Sequence, residues 1–405
     1  MTLSLLEWAL MIPVVGGSVF AVLCLLASLR FCARPDRPSR AAFAQWPPVT
    51  ILKPICGLEK NQRDNLRSVC VQDYPEFQVV FSVQDPGDPA IPLLRDIRRE
   101  FGPDRVSVAV ENRQAGCNRK ISNLLGGLAC ARYEILVISD SDMHVKPDYL
   151  KTVVSPLADP AVGCVCTLYK AVCADTWFEK LELLTFNADF IPSVIFAHLT
   201  GASRFCLGPS LAIRRSTLKH IGGLEVLADY LVEDYELGKR VWATGKKVAI
   251  VPYFVDTMVD LKSPVQWWQH QSYWDQNTRA ANPGGFFATI LVKAVPFAVF
   301  FALARLGDGV GLTVLGAALL VRLATAAATL GPLYRDREGV RSLALLPVRD
   351  MAALVSWLLA FTTRTVTWRG AEFTLTGDGR LVPKEERRSC ESLSSPATTS
   401  VSPSR

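Results

Sequence analysis

The chain reads as an α/β domain built on a nucleotide-binding type of sheet and joined to membrane helices. Three observations predict this. Between residues 46 and 284, short apolar runs rich in β-branched residues alternate with helical periodicities, the pattern of strands joined by crossover helices. Two of those runs end in carboxylates, at Asp85 and at Asp140-Ser141-Asp142. In open α/β sheets, ligands gather at the carboxyl ends of strands. One apolar stretch near the N-terminus and three after residue 284 have the length of membrane segments.

Composition agrees. Of 405 residues, 50% are hydrophobic and 20% charged, too apolar for an ordinary soluble domain and too charged for a pure membrane bundle. The net charge of +6 suits an anionic membrane surface. No basic stripe with interleaved aromatics is present, which argues against nucleic acid. The eleven cysteines are scattered without a Cys-x-x-Cys pair, and there are four histidines. That argues against a His/Cys metal centre and for reduced thiols in a cytosolic compartment.

In chain order, Leu5 to Leu29 reads as a membrane anchor. It is long for a signal peptide, lacks a basic leader and has no clear cleavage site. Arg30, Arg34, Arg37 and Arg40 follow, placing the next segment in the cytosol by the positive-inside rule. Strands are predicted at 48–54, 78–85, 106–110 and 135–138, with helices at 61–71, 91–101 and 118–131 between them. Further strands are expected at 163–169, 207–214 and 247–252, and a helix at 233–244. Trp177 to His198 reads as an aromatic amphipathic helix able to lie on a membrane surface. Trp267, Trp268, Tyr273 and Trp274 form an aromatic cluster of the interfacial kind.

The stretches 285–306, 310–330 and 345–361 read as membrane segments, with Lys293, Arg322, Arg349 and Asp350 expected to snorkel or to face other helices. Four spans would put both termini on one side. The flanking charges instead favour an outside N-terminus and a cytosolic C-terminus, so one C-terminal segment would be re-entrant or interfacial. The division is an anchor at 1–32, the α/β domain with interfacial helices at 46–284, membrane helices at 285–363, and a Ser/Pro/Thr/Arg-rich disordered tail at 384–405.

Residues i and i+2 of an extended chain point the same way, so Asp140 and Asp142 can face one hard cation. Mg²⁺ or Mn²⁺ held by one or two carboxylates and by diphosphate oxygens is ordinary chemistry. Taken alone, Asp-Ser-Asp reads equally as a solvated turn. Glu233-Asp234 opens a helix, where carboxylates are also ordinary dipole partners.

Order and context carry more. Lys53-Pro54, Val83-Gln84-Asp85 with Asp88-Pro89-Ala90, Asn118-Arg119-Lys120-Ile121-Ser122-Asn123-Leu124, Ser139-Asp140-Ser141-Asp142 and Glu233-Asp234-Tyr235 follow one another. In this order they resemble the ceramide glucosyltransferase family, membrane-anchored inverting GT-A glycosyltransferases, and within it the bacterial hopanoid-biosynthesis branch. The resemblance covers residues 46–285 and the flanking apolar segments.

It implies a GT-A nucleotide-diphospho-sugar transferase domain with one N-terminal and about three C-terminal membrane helices. The implied reaction moves one sugar, glucose or N-acetylglucosamine, from a UDP-sugar to a hydroxyl of ceramide or a hopanoid polyol, with inversion. The implied location is a cell inner membrane, multi-pass, with the catalytic domain cytoplasmic. Asp85 would contact uracil or ribose. Asp140 and Asp142 would hold the metal against the diphosphate, with Lys120 near the nucleotide. Asp234 would be the general base, with Glu233 beside it at the substrate.

The family's last motif, Gln/Arg-x-x-Arg-Trp, aligns with His270-Gln271-Ser272-Tyr273-Trp274. Trp274 stands, Tyr273 replaces the arginine, and Arg279 is the nearby residue that could bring a positive charge to the diphosphate. Processive polysaccharide synthases share the same acids but usually carry the intact motif and a larger C-terminal bundle. A non-catalytic membrane scaffold derived from such an enzyme is the third reading, resting on Tyr273.

Overall fold

A computed structural model describes residues 4–33, 43, 45–362, 364–368 and 371–384. The tail read as disordered beyond Lys384, and Arg34, Arg37 and Arg40, lie outside the described residues.

The chain opens on helix α1 (Leu5–Cys32). Ser4 Oγ accepts from the Glu7 amide at 3.2 Å and Glu7 accepts from the Ser4 amide at 2.6 Å, a reciprocal capping box. The 28 residues of the helix make it about 42 Å long, beyond the roughly 30 Å of a hydrocarbon core. Leu5, Ile12, Val19 and Leu26 are exposed along it.

The main sheet has eight strands: β1 (Val49–Ile55), β2 (Phe77–Val83), β3 (Val106–Val110), β4 (Ile135–Ser139), β5 (Met143–His144), β6 (Val162–Val172), β7 (Ser210–Arg214) and β8 (Lys247–Met258). Their order is β3-β2-β1-β4-β7-β6-β8-β5. β1 is central, parallel to β2 and β4. Pro54 sits inside it rather than ending it. The ladder to β4 stops at Leu52, so the missing proline N–H leaves no gap there. Helices α2 (Gln62–Ser68), α3 (Ile91–Phe101) and α4 (Arg119–Ala129) connect this half, close to the predicted spans.

The other half is mixed, because β7 runs antiparallel to both β4 and β6. An apolar run carries no mark of its direction, so the sequence does not reveal this. After β5 and a short α5 (Tyr149–Val154), the chain leaves β6 into helices α6 (Trp177–Thr185) and α7 (Ile191–Leu199) before returning as β7. A π turn, Phe186–Phe190, joins α6 to α7. It seats Pro192 in the first turn of α7, where a proline costs no helix hydrogen bond. The α7 helix packs on α1, with Phe20 and Phe196 rings 5.3 Å apart.

Then follow α8 (Arg215–His220), α9 (Glu233–Ala243) and α10 (Pro264–Ala281). The pair α11 (Pro283–Ala288) and α12 (Ala294–Ala304), with a short 3-10 turn between, is bent by 49°. Next is α13 (Gly309–Ala328), continued by a π turn to Leu333. Among the described residues, two helices, Leu5–Cys32 and Gly309–Leu333, are long and apolar enough to cross a membrane, or three if the bent pair is one span.

After α14 (Arg337–Arg341), the last apolar stretch forms α15 (Leu346–Leu359). Its 14 residues reach about 21 Å, short of a span. As expected, its charges face other helices. Arg349 pairs with Asp189 at 2.5 Å and Asp350 at 3.0 Å, and Arg322 with Asp350 at 2.9 Å. A second sheet that the sequence did not suggest closes the described chain: β9 (Thr365–Trp368), β10 (Ala371–Leu375) and β11 (Leu381–Pro383), antiparallel.

Candidate active site

The site lies where the carboxyl ends of β1 and β4 meet the first turn of α9. The buried run Ile135–Ile138 drives β4 through the core, so Asp140 and Asp142 emerge at its end. Beneath them lies Lys53, fully buried on β1. Its Nζ donates to the Asp140 carbonyl at 2.6 Å, the Met143 carbonyl at 3.1 Å and Ser139 Oγ at 3.3 Å. Burial pulls the Lys53 ammonium down to about 8, against the attraction of Asp142 and Asp140. Lys53 is the site residue to which the sequence reading gave no role. Its signal was a lysine inside the apolar run Val49-Thr50-Ile51-Leu52.

Lys120, one residue into α4, reaches the acids from the other side. Its Nζ is 2.7 Å from Asp140 Oδ1 and 3.0 Å from Glu233 Oε1. Asn118 caps α4 by accepting from the Ile121 amide at 3.1 Å, and its Nδ2 also donates to Glu233 Oε2 at 3.2 Å. Burial disfavours the Lys120 charge, but Asp140 and Glu233 outweigh it and hold the ammonium above its usual range.

Asp234 Oδ2 accepts from the Gly208 amide at 2.5 Å and Oδ1 from the Tyr235 amide at 2.8 Å. Burial, then the neighbouring Glu233 charge, raises its carboxyl to about 7, opposed by Lys120 and the two amides. Burial also raises Asp140, with Lys120 pulling the other way. Asp142 Oδ2 accepts from Thr257 Oγ1 at 2.7 Å. The arrangement therefore concentrates four carboxylates, Asp140, Asp142, Glu233 and Asp234, around Lys120 and the buried Lys53.

That excess of negative charge suits a divalent cation. Asp140 Oδ1 is a buried oxygen that accepts no hydrogen bond; the Lys120 contact is an ion pair without hydrogen-bond geometry. Among the described residues, no group of three or more His, Cys, Asp or Glu is placed to hold a metal ion. Two hard carboxylates fit Mg²⁺ or Mn²⁺ only when a ligand such as diphosphate supplies further oxygens.

Asp85 stands exposed beyond the end of β2, its Oδ1 accepting from the Gly87 amide at 2.8 Å. Strand β1 lies between β2, whose end Asp85 follows, and β4, whose end Asp140 follows. Trp274, next to Tyr273 on α10, heads a chain of polar contacts to α6. Its Nε1 donates to His270 Nε2 at 3.1 Å, and His270 Nδ1 meets Glu182 Oε1 at 2.7 Å. The tautomer with the proton on Nδ1 satisfies both bonds. Glu182 is buried on α6 and also accepts from Gln271.

Tyr273 is packed beside Leu231 and Val366, in the fields of Glu233, Lys120 and Asp234. Burial takes its phenol up to about 12. Arg279 does not join the site. Its guanidinium donates to the Ala360 carbonyl and lies 5.9 Å from the Phe361 ring. Six residues beyond Tyr273, it has turned to another face of α10. The aromatic cluster is also less interfacial than expected, since Trp267 is buried against Phe178 and Leu181.

With this geometry in place, comparison with known proteins is decisive at the family level. The model of glycosyl transferase family 21 matches residues 9–381. The chain belongs to glycosyl transferase family 21. Ceramide glucosyltransferase 1 of Caenorhabditis elegans is 27% identical over 206 residues, covering 50% of this chain and 44% of that protein. Ceramide glucosyltransferase 3 of the same organism is 21% identical over 357 residues, covering 83% and 74%. The chain thus spans about half the length of the first of these relatives.

Among solved structures, a mannosyltransferase from Pyrobaculum calidifontis, in complex with GDP-Man and Mn²⁺, aligns with a TM-score of 0.51 at 20% identity. It covers 87% of this chain and 99% of that one. This family 21 member has the GT-A type of fold, with a mixed sheet and candidate membrane helices.

Proposed function

We propose that this family 21 glycosyltransferase moves one sugar from a UDP-sugar to a hydroxyl of a membrane lipid, ceramide or a hopanoid polyol, with inversion. The observation that carries the reading is the convergence of Asp140, Lys120, Glu233 and Asp234 at the strand ends. The ceramide glucosyltransferase relatives and the candidate membrane helices support a lipid acceptor.

Asp85 would take the uridine end and the Asp140 edge the diphosphate end of the donor, with β1 between their strands. Asp140 and Asp142 would hold Mg²⁺ or Mn²⁺, which when bound would stabilise charge on the departing diphosphate. Lys120 would exchange its contact with Asp140 for a phosphate oxygen.

Asp234, raised to about 7, would accept the acceptor hydroxyl proton. The freed oxygen forms its bond to the anomeric carbon as the carbon–oxygen bond to UDP breaks, and UDP leaves with the electron pair. One base opposite the leaving group is what an inverting displacement needs. Glu233 would orient Lys120, and Trp274 would line the acceptor side. The membrane would be a cell inner membrane, crossed more than once, with the site on the cytoplasmic face.

The test is to incubate membranes carrying the protein with labelled UDP-glucose or UDP-N-acetylglucosamine and with each lipid. A lipid bearing one sugar is expected, and Asp234→Asn should lower its rate of formation by about 10²–10⁴-fold. No labelled lipid from any pairing, or an unchanged Asp234→Asn, overturns the reading; a polymer would identify a processive synthase.

A further inference from the structure

We propose that the C-terminal sheet β9–β11 is a positioning element of the active site, and that Leu381 is its key residue. The inference rests on the reading of Asp234 as the base. The α9 helix begins without a side-chain cap. Val232, at its N-cap position, makes no such hydrogen bond. The direction of the first turn, with Glu233 and Asp234, is therefore set by whatever holds the preceding segment, 228–232.

Two elements hold it, one on each side. From the α4 side, the Asn118 amide donates to the Ala228 carbonyl at 2.7 Å, Asn118 Nδ2 to the Tyr230 carbonyl at 2.9 Å, and the Cys117 amide to Asp229 Oδ1 at 3.0 Å. The approach is close enough that a Cβ on Gly116 would stand 2.6 Å from the Ala228 oxygen. From the other side comes the C-terminal sheet. The Leu381 amide donates to the Asp229 carbonyl at 2.7 Å, and the Leu231 amide to the Gly379 carbonyl at 3.1 Å. Tyr230 and Arg380 form an antiparallel bridge between them, with the Arg380 guanidinium 5.2 Å from the Tyr230 ring.

The contact is sealed by a small apolar core of its own. Leu231, Val366, Phe373, Leu375 and Leu381 are buried together, with Val232, Tyr273 and Cys117 packed around them. This cluster is separate from the core that fills the main sheet. Loosening it therefore frees segment 228–232 without emptying the nucleotide half. The part of the chain that follows the membrane helices thus returns to clamp the loop that aims Asp234, and it packs against Tyr273 on the way.

The geometry separates two readouts. Among the described residues, the C-terminal sheet bonds to the catalytic half through Asp229 and Leu231, so donor binding at Asp85, Asp140 and Asp142 should survive its loosening while turnover should not. A displacement near 1 Å at a reacting group is worth on the order of 10²-fold in rate.

In the full chain, Leu381→Asp should lower kcat by on the order of 10²-fold while calorimetric binding of UDP with Mn²⁺ stays within about twofold. Phe373→Ala should act in the same direction, and Leu381→Met should restore activity. Glu372→Gln, which breaks only the exposed pair with Lys384 at 2.9 Å, should match wild type. Hydrogen exchange gives a reading without turnover: amides of residues 229–238 should exchange faster in Leu381→Asp, while those of β4 do not. Unchanged exchange at 229–238, or UDP affinity falling in step with kcat, overturns the proposal. A wild-type chain that transfers no sugar overturns the functional reading instead, and the exchange result still decides the clamp.

Discussion

At the scale of single residues, the site stores its chemistry in burial. Burial, then the Glu233 charge, raises Asp234 to about 7, which would poise it as the proposed base near neutral pH. Protonation disables a base, so kcat/KM should fall as pH drops through about 7, and a bound cation would move that limb lower. Asp234→Asn should remove the limb and about 10²–10⁴ of the rate, read from initial rates across pH 5 to about 9. Lys53 makes a different prediction. Replacing it by Met strands the Asp140 and Met143 carbonyls and Ser139 Oγ, at about 1–3 kcal/mol for each group left unsatisfied. Lys53→Met should lower the melting temperature and weaken Mn²⁺-dependent UDP binding together, whereas Asp85→Ala should weaken UDP binding and leave stability unchanged. The acids were legible in the sequence because strand-end carboxylates announce themselves by position. The role of Lys53 is not legible in the sequence, since its partners are backbone carbonyls 87 and 90 residues later in the chain. Arg279 shows the converse: its guanidinium meets the Ala360 carbonyl, and nearness in sequence says nothing about the face of α10.

At the scale of elements, the strands and helices of the first half follow their periodicities because each obeys one burial pattern. α3 matches its predicted span, Ile91–Phe101, and β3 matches Val106–Val110. The second half was less legible where a tertiary partner overrides local preference. The antiparallel β7 has no local signature of direction, and the strands of the C-terminal sheet are three to five residues long and exist by packing on Leu231. One glycine shows how elements fix the site. A Cβ on Gly238, inside α9, would stand 2.2 Å from the Cys206 amide nitrogen and 2.6 Å from the Phe205 Cα. Backbone cannot yield cheaply there, so Gly238→Ala should push α9 off the 205–208 segment whose Gly208 amide binds Asp234. Overpacking of this kind costs about 1–3 kcal/mol, and the displaced base should lose on the order of 10²-fold in kcat. Gly284→Ala, which meets nothing within 4 Å, is the matched control; equal activity in the two variants would refute the account.

At the scale of the whole molecule, the membrane helices order themselves by polar contacts at their two ends. Glu7, near the start of α1, pairs with Arg305 at 2.6 Å, and Arg305 with Asp308 at 2.5 Å, so the turn between α12 and α13 lies beside the start of α1. Ser28, near the end of α1, is 3.0 Å from the Tyr334 hydroxyl, just past α13. Thus α13 runs parallel to α1, and α12 approaches its start from the opposite direction. The C-terminal sheet meets the loops of the catalytic half, on the side where α1 ends. The sequence left a conflict because four apolar stretches were counted as spans while the flanking charges asked for termini on opposite faces. With α15 too short to cross and its Arg349 and Asp350 paired inward, three passes, by α1, the bent pair and α13, would satisfy both demands. An epitope inserted after Leu306, which is 97% exposed, should therefore be reached from the face opposite to one inserted after Gly377. In sealed vesicles of each orientation, antibody binding should select one tag or the other. Access to both tags from a single face would mean that α13 does not cross, or that α15 crosses as well.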